Sequence, residues 1–245
     1  MSQPSRSGFD ARQRALAYPP GIGQHFWLLS RNRIVYDALR AAGAAAPLLD
    51  LGCGPGATVH FLRSRGLDCR GADLATYTPV APELTGAIRY DADAFELPPA
   101  ERRQVRTLLL LDVLEHLAEP GAFVRRCVDA YSNLAHVLIT LPARQELWSN
   151  YDEFYGHQRR YDLTGAAALC RDGGVELLEA RYFFHALYPV LAAQRLLAVA
   201  RGVEFKPVRQ RRLHALMARA LHFEARCLPG SLPGTSLLAL ARVRR

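Results

Sequence analysis

The nine residues Leu48-Leu49-Asp50-Leu51-Gly52-Cys53-Gly54-Pro55-Gly56 constrain this chain more than any others. An apolar run closes on a carboxylate, and three glycines follow at alternate positions. A buried parallel strand that hands over to a helix around a nucleotide-like ligand has this pattern. The glycines allow a tight turn and let the ligand touch the backbone, and the next helix offers its first amides.

A chain of 245 residues, half of them hydrophobic, has the size and composition for one globular α/β domain with an elaboration. The five cysteines (Cys53, Cys69, Cys127, Cys170, Cys227) are scattered, and no Cys/His spacing points to zinc, so reduced thiols and no metal are expected. The polar first eleven residues lack the apolar stretch of a signal peptide, and no run of about eighteen apolar residues occurs, so a cytoplasmic location is expected. Charge is segregated. Residues 1–200 carry 21 basic and 21 acidic side chains, whereas residues 201–245 carry ten basic ones against Glu204 and Glu224, which is the whole net charge of +8. Such a basic tail fits an anionic partner: a phosphorylated substrate, nucleic acid or the inner face of an acidic membrane, touched peripherally.

Hydrophobic periodicity predicts a loose arm over residues 1–20 and a helix over 24–42. Strands are expected at 47–51, 67–73, 87–91, 105–111, 135–141, 175–182 and 236–242, with helices at 57–65, 119–130 and 163–171. This alternation predicts a doubly wound, Rossmann-like α/β sheet of seven strands. About fifty residues (183–235) separate the last two strands, far more than a usual loop. They hold two helical patterns, 187–201 and 208–226. The second is basic and amphipathic, with Leu213, Leu216, Met217, Ala220 and Leu221 on one stripe.

Gly52-x-Gly54-x-x-Ala57, with Asp73 nineteen residues after Gly54, satisfies a dinucleotide fingerprint and by itself fits NAD. Asp50 argues otherwise, because a carboxylate there would repel a pyrophosphate but attract an amine. An acid and a small residue follow the third strand, Asp93-Ala94, and can take an adenine through a carboxylate and a backbone amide. The fourth strand closes on Leu111-Asp112-Val113-Leu114-Glu115-His116-Leu117.

In these four segments, LLDLGCGPG, GLDCRGADLA, DADAFELP and LLLLDVLEHL, the chain resembles the class I S-adenosylmethionine-dependent methyltransferases. The segments stand in family order over about residues 45–120. The resemblance implies that Asp50, Gly52, Cys53, Gly54 and Gly56 hold the methionine end of the cofactor. It places Asp73 and Leu74 at the ribose, Asp93 and the Ala94 amide at the adenine, and Asp112 beside them. It also implies a seventh strand running antiparallel and S-adenosyl-L-homocysteine as product. A Pro-Gly-Gly turn usual before the fifth strand is replaced by Tyr131-Ser132-Asn133. The expected division is an arm and lid helix (1–44), the cofactor-binding domain (45–182 with 236–245) and a basic helical insertion or cap (183–235).

The element Gly156-His157-Gln158-Arg159-Arg160-Tyr161, with Phe26-Trp27 early and Leu232-Pro233 late, resembles a bacterial subset of these enzymes often tied to glycan or secondary-metabolite pathways. The expected reaction is O-methylation of a small-molecule or sugar-containing acceptor with an anionic portion. His157 is the first candidate for the base and His116 the second. Arg159 and Arg160 could grip an anion, or form ion pairs with Asp152, Glu153 or Asp162. Tyr151 and Tyr161 could line the acceptor. A quinone-type or aromatic acceptor, an RNA acceptor and a cofactor-binding module without catalysis are the rival readings. No base-clamping Asn-Pro-Pro-Tyr motif supports RNA.

Overall fold

The computed structural model describes residues 9–244. The polar start of the N-terminal arm, residues 1–8, lies outside them. Seven strands form one sheet: β1 (Leu48–Leu51), β2 (Cys69–Ala72), β3 (Ile88–Arg89), β4 (Thr107–Leu111), β5 (His136–Pro142), β6 (Val175–Phe183) and β7 (Ser236–Val243). Their order is β3-β2-β1-β4-β5-β7-β6. β7 runs antiparallel to both β5 and β6, and the pairings from β3 through β5 are parallel. This is the Rossmann-like architecture that the alternating pattern predicts.

The central strands are mostly apolar because helices cover both faces, and Asp50 is the acid among them. Alternate residues serve opposite layers. Leu49, Leu51, Leu108, Leu110, Val137 and Ile139 face Val124 and Cys127 of α5 (Pro120–Ala130) and Leu169 of α7 (Leu163–Asp172). Leu48, Leu109, Leu111 and Leu138 face Ile34, Val35 and Leu39 of α2 (Phe26–Ala41) and Val59 and Leu62 of α3 (Ala57–Arg63).

Four expectations need correction. The arm is not loose throughout: residues Ala11–Ala17 form α1. Asp10 caps it, accepting from the Gln13 amide, while the Gln13 side chain accepts from the Asp10 amide. The third strand stops at Arg89, because Asp91 takes a left-handed φ of 51°. The long connection contains α8 (Leu187–Leu196) and α9 (Arg211–Cys227), but α9 buries only Leu221 of the predicted stripe. It packs on α2 through Leu221 and the small residues Ala218 and Ala225, and leaves Leu213, Leu216 and Phe223 exposed.

The first helical pattern of the connection also ends early, at Leu196, where Ala198 turns left-handed. The chain then crosses over α1, α2 and α6 (Asn150–Phe154). The Phe205 amide donates to the Leu16 carbonyl at 3.0 Å, and the Phe205 ring packs on His25 and Trp27. The Tyr155 hydroxyl donates to the Val203 carbonyl at 2.6 Å. These contacts bring the connection to the carboxyl ends of β1 and β4, where ligands bind in such sheets.

Candidate active site

At the end of β1, Gly52, Gly54 and Gly56 all take left-handed φ values, 73°, 55° and 82°. A side chain at Gly56 would be strained and would put its Cβ 2.3 Å from Ile88 Cδ1. A Cβ on Gly54 would meet the Tyr18 ring at 2.8 Å, so the segment after α1 lies directly on the loop. Burial, together with the Tyr77 hydroxyl, pushes the Tyr18 phenol up.

Asp73 clips this loop to β2: one carboxylate oxygen accepts from the Gly54 amide and the other from the Ala75 amide, both at 2.8 Å. Burial raises its pKa, and those two amides oppose the rise. A carboxylate has about four lone-pair positions, so two bonds leave capacity for a hydroxyl. Asp50 is buried at the end of β1. Burial pushes its carboxyl up to about 7, against the pull of Arg31.

Arg31, on α2, reaches across the loop. It donates to Asp112 Oδ2 at 2.5 Å and to the Thr58 hydroxyl at 2.9 Å, and its guanidinium stands 5.2 Å from the Trp27 ring centroid. Asp112 follows β4 with a left-handed φ of 57°, a conformation unusual for a residue with a side chain. Its other oxygen accepts from the Thr140 hydroxyl at 3.2 Å.

The next turn, Leu114–His116, carries Glu115 and His116 to the same edge. A distant loop is laced to it by backbone bonds. The Gln158 amide donates to the Glu115 carbonyl at 2.8 Å, the Gln158 side chain to the His116 carbonyl at 2.9 Å, and Arg159 to the Ala118 carbonyl at 2.9 Å. The lacing sets the His157 ring 4.9 Å from the His116 ring. His157 Nδ1 lies 2.8 Å from Asp152 Oδ1. Arg160 grips the same buried Asp152 with Nε at 2.9 Å and Nη2 at 3.0 Å.

Burial alone would raise the Asp152 carboxyl, but the bonds from His157 and Arg160 outweigh it and bring it down to about 2. Burial, reinforced by His157, lowers His116 to about 4, so it is a neutral imidazole near pH 7. Burial and the neighbouring Asp112 push the Glu115 carboxyl well up. Aromatic rings flank the pair: Phe9 stands 5.3 Å from His116, and Tyr151 stands 6.2 Å from His157. Arg201, from the long connection, lies 3.9 Å above the Tyr151 ring.

The residues fit an aminoacyl nucleoside better than a dinucleotide. Acids stand at the ends of β1 and β2 and after β3, where a cationic amine, ribose hydroxyls and an adenine amino group would each find an acceptor. Residues 49–138 match the model of a family described as a methyltransferase domain. Over these residues the chain matches a methyltransferase domain, and its fold is that of the class I S-adenosylmethionine-dependent methyltransferases. The chain is 27% identical over 103 residues to the ubiquinone biosynthesis O-methyltransferase of Cupriavidus pinatubonensis, 40% of this chain and 41% of that protein. The chain thus spans about two fifths of the curated relative it matches. Among solved structures, phosphoethanolamine N-methyltransferase 2 of Haemonchus contortus, bound to S-adenosyl-L-methionine, superposes with a TM-score of 0.56 at 13% identity, over 97% of this chain and 61% of that one. The 1,6-didemethyltoxoflavin-N1-methyltransferase of Burkholderia thailandensis superposes with a TM-score of 0.51 at 15% identity, over 89% and 79%. At such identities the superpositions speak for the methyltransferase fold alone.

The methyltransferase domain gathers most of the residues singled out in sequence. Asp50, the glycine loop with Cys53, Asp73 and Asp112 lie together. Cys53 is buried, and burial raises its thiol. Leu74 stays 38% exposed. Asp93 closes a local turn by accepting from the Phe95 amide at 2.9 Å, next to Ala94. His116, His157 and Tyr151 come together.

Two of the arginine and tyrosine assignments shift. Arg160 is buried and bound to Asp152 and the Ala143 carbonyl, so it anchors the loop and is not free to grip an acceptor. Tyr161 belongs to the core beneath β5. Arg159 is directed to the Ala118 carbonyl and lines a separate surface cavity of about 710 Å³. Arg31, Glu115, Tyr18 and Arg201 escaped notice as site residues. Glu115 stands inside a quoted motif, but Arg201 reaches the site only through tertiary contacts.

The raised Asp50 carboxyl makes stability depend on pH. Below about pH 4 the group is protonated in both the folded and the unfolded chain. Between that value and about 7 only the unfolded chain ionises, so its stabilising share, up to roughly 4 kcal/mol, is lost as pH rises through 7. Urea unfolding without cofactor should therefore show a larger loss between pH 5 and pH 8 in the wild type than in Asp50→Asn. Equal losses would contradict the buried, protonated carboxyl.

Proposed function

We propose that this chain is an S-adenosylmethionine-dependent O-methyltransferase acting on a hydroxylated small molecule with an anionic portion. The observation that carries the reading is the Asp152–His157 pair beside His116, at the sheet edge that holds the glycine loop and Asp112. When bound, S-adenosylmethionine supplies an electrophilic methyl group on a sulfonium. Asp50 and the loop glycines would hold its methionine end, with Arg31 near for the carboxylate. Asp73 and Leu74 would hold the ribose, and Asp93 and Ala94 the adenine.

His157 is the group that takes up the acceptor's hydroxyl proton. Asp152 acts through it, holding Nδ1 so that Nε2 is presented. Fixing the acceptor oxygen in line can lower the barrier by about 7–11 kcal/mol, and a positioned base adds about 10²–10⁴-fold. Phe9, Tyr151 and Tyr155 offer flat walls to the acceptor, and Arg201 offers a cation to its anionic portion. The O-methyltransferase name of the Cupriavidus relative supports oxygen as the target and favours a quinone-type aromatic ring. A sugar-containing acceptor, as in the subset with the Gly-His-x-Arg-Arg-Tyr element, would use the same tyrosine walls.

Transfer of label from S-adenosylmethionine carrying a tritiated methyl group tests this reading against hydroxylated aromatic acids and sugar phosphates. Label should enter an acceptor hydroxyl. His157→Ala should lower kcat by about 10²-fold or more with cofactor affinity kept, and Arg201→Ala should raise KM for the anionic acceptor. Wild-type turnover by His157→Ala would remove the base from this account.

The long connection also has the surface of a peripheral membrane contact. No helix among the described residues is long and apolar enough to cross a membrane. Apart from Leu74, Val80 and Leu178, the large exposed apolar side chains of the described residues all lie between Val190 and Leu232. Leu196, Leu197 and Phe223 are 86%, 72% and 68% exposed, and Arg209, Arg211, Arg212 and Arg219 stand in the same region. Apolar anchors with basic neighbours suit an anionic bilayer. The protein should sediment with phosphatidylserine vesicles and not with neutral ones, and Leu196→Ser/Leu197→Ser/Phe223→Ser should abolish it. Unchanged sedimentation of that variant would reject the contact.

A further inference from the structure

We infer that Glu115, His116 and His157 form a binding site for one divalent metal ion. This inference deepens the proposed O-methyl transfer and rests on the acceptor entering at this cluster. Each side chain offers one ligand atom, and the three atoms lie within 4.8 Å of one another. Bonds of about 2.0–2.2 Å from one ion would bring them to about 3.0–3.6 Å apart, a contraction within reach of small side-chain rotations.

One acid of the cluster lacks a partner. Asp112 is paired with Arg31, and Asp152 with Arg160. Among the described residues Glu115 has no counter-ion of its own and its Oε2 has no hydrogen-bond partner, and the residue is 1% exposed. A buried acceptor left without a partner is costly. A metal ion would supply the missing partner.

The imidazoles are prepared as ligands. His157 Nδ1 is taken by Asp152, which leaves Nε2 to bind. A carboxylate behind a ligating histidine fixes the ring and raises its basicity. His116 stands beside it, its ring centroid 4.9 Å from that of His157. Two imidazoles and one carboxylate suit zinc, manganese, iron or cobalt as divalent ions, and three protein ligands leave a position open.

The acceptor's hydroxyl oxygen fills that open position. Coordination acidifies the hydroxyl, and its proton leaves to water. The oxygen then forms the new bond to the methyl carbon as the carbon–sulfur bond breaks, and the sulfur keeps that electron pair. In the metal-loaded enzyme His157 is therefore a ligand, and in the metal-free enzyme it is the proton acceptor.

Cobalt(II) titration of untagged, chelator-treated full-length protein tests the site, read by visible absorption and calorimetry. One equivalent should bind with the ligand-field bands of a histidine–carboxylate site. Glu115→Gln and His157→Ala should each weaken binding by at least about tenfold, Asp152→Asn by about 10–100-fold, and His185→Ala not at all. Thermal melts identify any variant that fails to fold, in which case His116→Asn takes its place. S-adenosylhomocysteine binding, measured on the same samples, reports on the methyltransferase reading separately. If it binds while cobalt does not, the metal site alone is wrong; cobalt binding without it would leave the metal site standing and remove the proposed reaction. Absence of saturable cobalt binding, or equal binding by the wild type, Glu115→Gln and His157→Ala, overturns the inference.

Discussion

The Arg31 guanidinium is the interaction on which the site depends. Three acids, Asp50, Asp112 and Glu115, are carried to one edge of the sheet by the ends of β1 and β4 and the turn after β4. Arg31 is the cation that acts on all of them. It is buried, and its charge comes from α2, outside the sheet. A buried ion pair adds little net stability over an apolar substitute, but removing one partner leaves the other uncompensated. The pair is thus better understood as fixing position. It docks α2 on the end of β4 and on Thr58 of α3, so helix, loop and acids share one geometry.

A second set of bonds gives the acceptor side its shape. Residues 115–118 and 156–160 are far apart in the chain, and neither segment is a strand of the sheet. Backbone and side-chain bonds between them do the work of a ladder. Asp152, fixed by Arg160 and the Ser149 amide, then aims His157 at His116. The cofactor side is built from strand ends and the acceptor side from laced loops. A shared scaffold with variable loops is how one fold serves many substrates.

The cofactor half was legible because its signals are local. A strand that ends in an acid, left-handed glycines and a second acid nineteen residues later all follow from short-range backbone requirements. The sheet was legible for the same reason, since apolar runs at regular spacing leave few topologies. The acceptor half was legible only as a list of residue types. Arg159 and Arg160 are adjacent in sequence, yet one faces a surface groove and the other is buried on Asp152, and no periodicity distinguishes them. Asp152 and His157, five residues apart, do meet, because α6 and the turn at Gly156 bring them together. Arg201 was hidden because its place depends on where α8 stops, a single left-handed residue at Ala198. The face buried by α9 was misjudged because two alanines join Leu221 in the contact with α2, while the other large apolar residues stay outside it.

The central claim is that the glycine loop and its acids hold an aminoacyl nucleoside with a sulfur at the reacting position. Calorimetric titration of S-adenosyl-L-homocysteine into the folded protein tests it most directly. The account predicts saturable binding of one molecule per chain, lost when Gly56 is replaced by valine in a variant that keeps its fold. A folded wild-type protein that takes up neither this compound nor S-adenosylmethionine would contradict it.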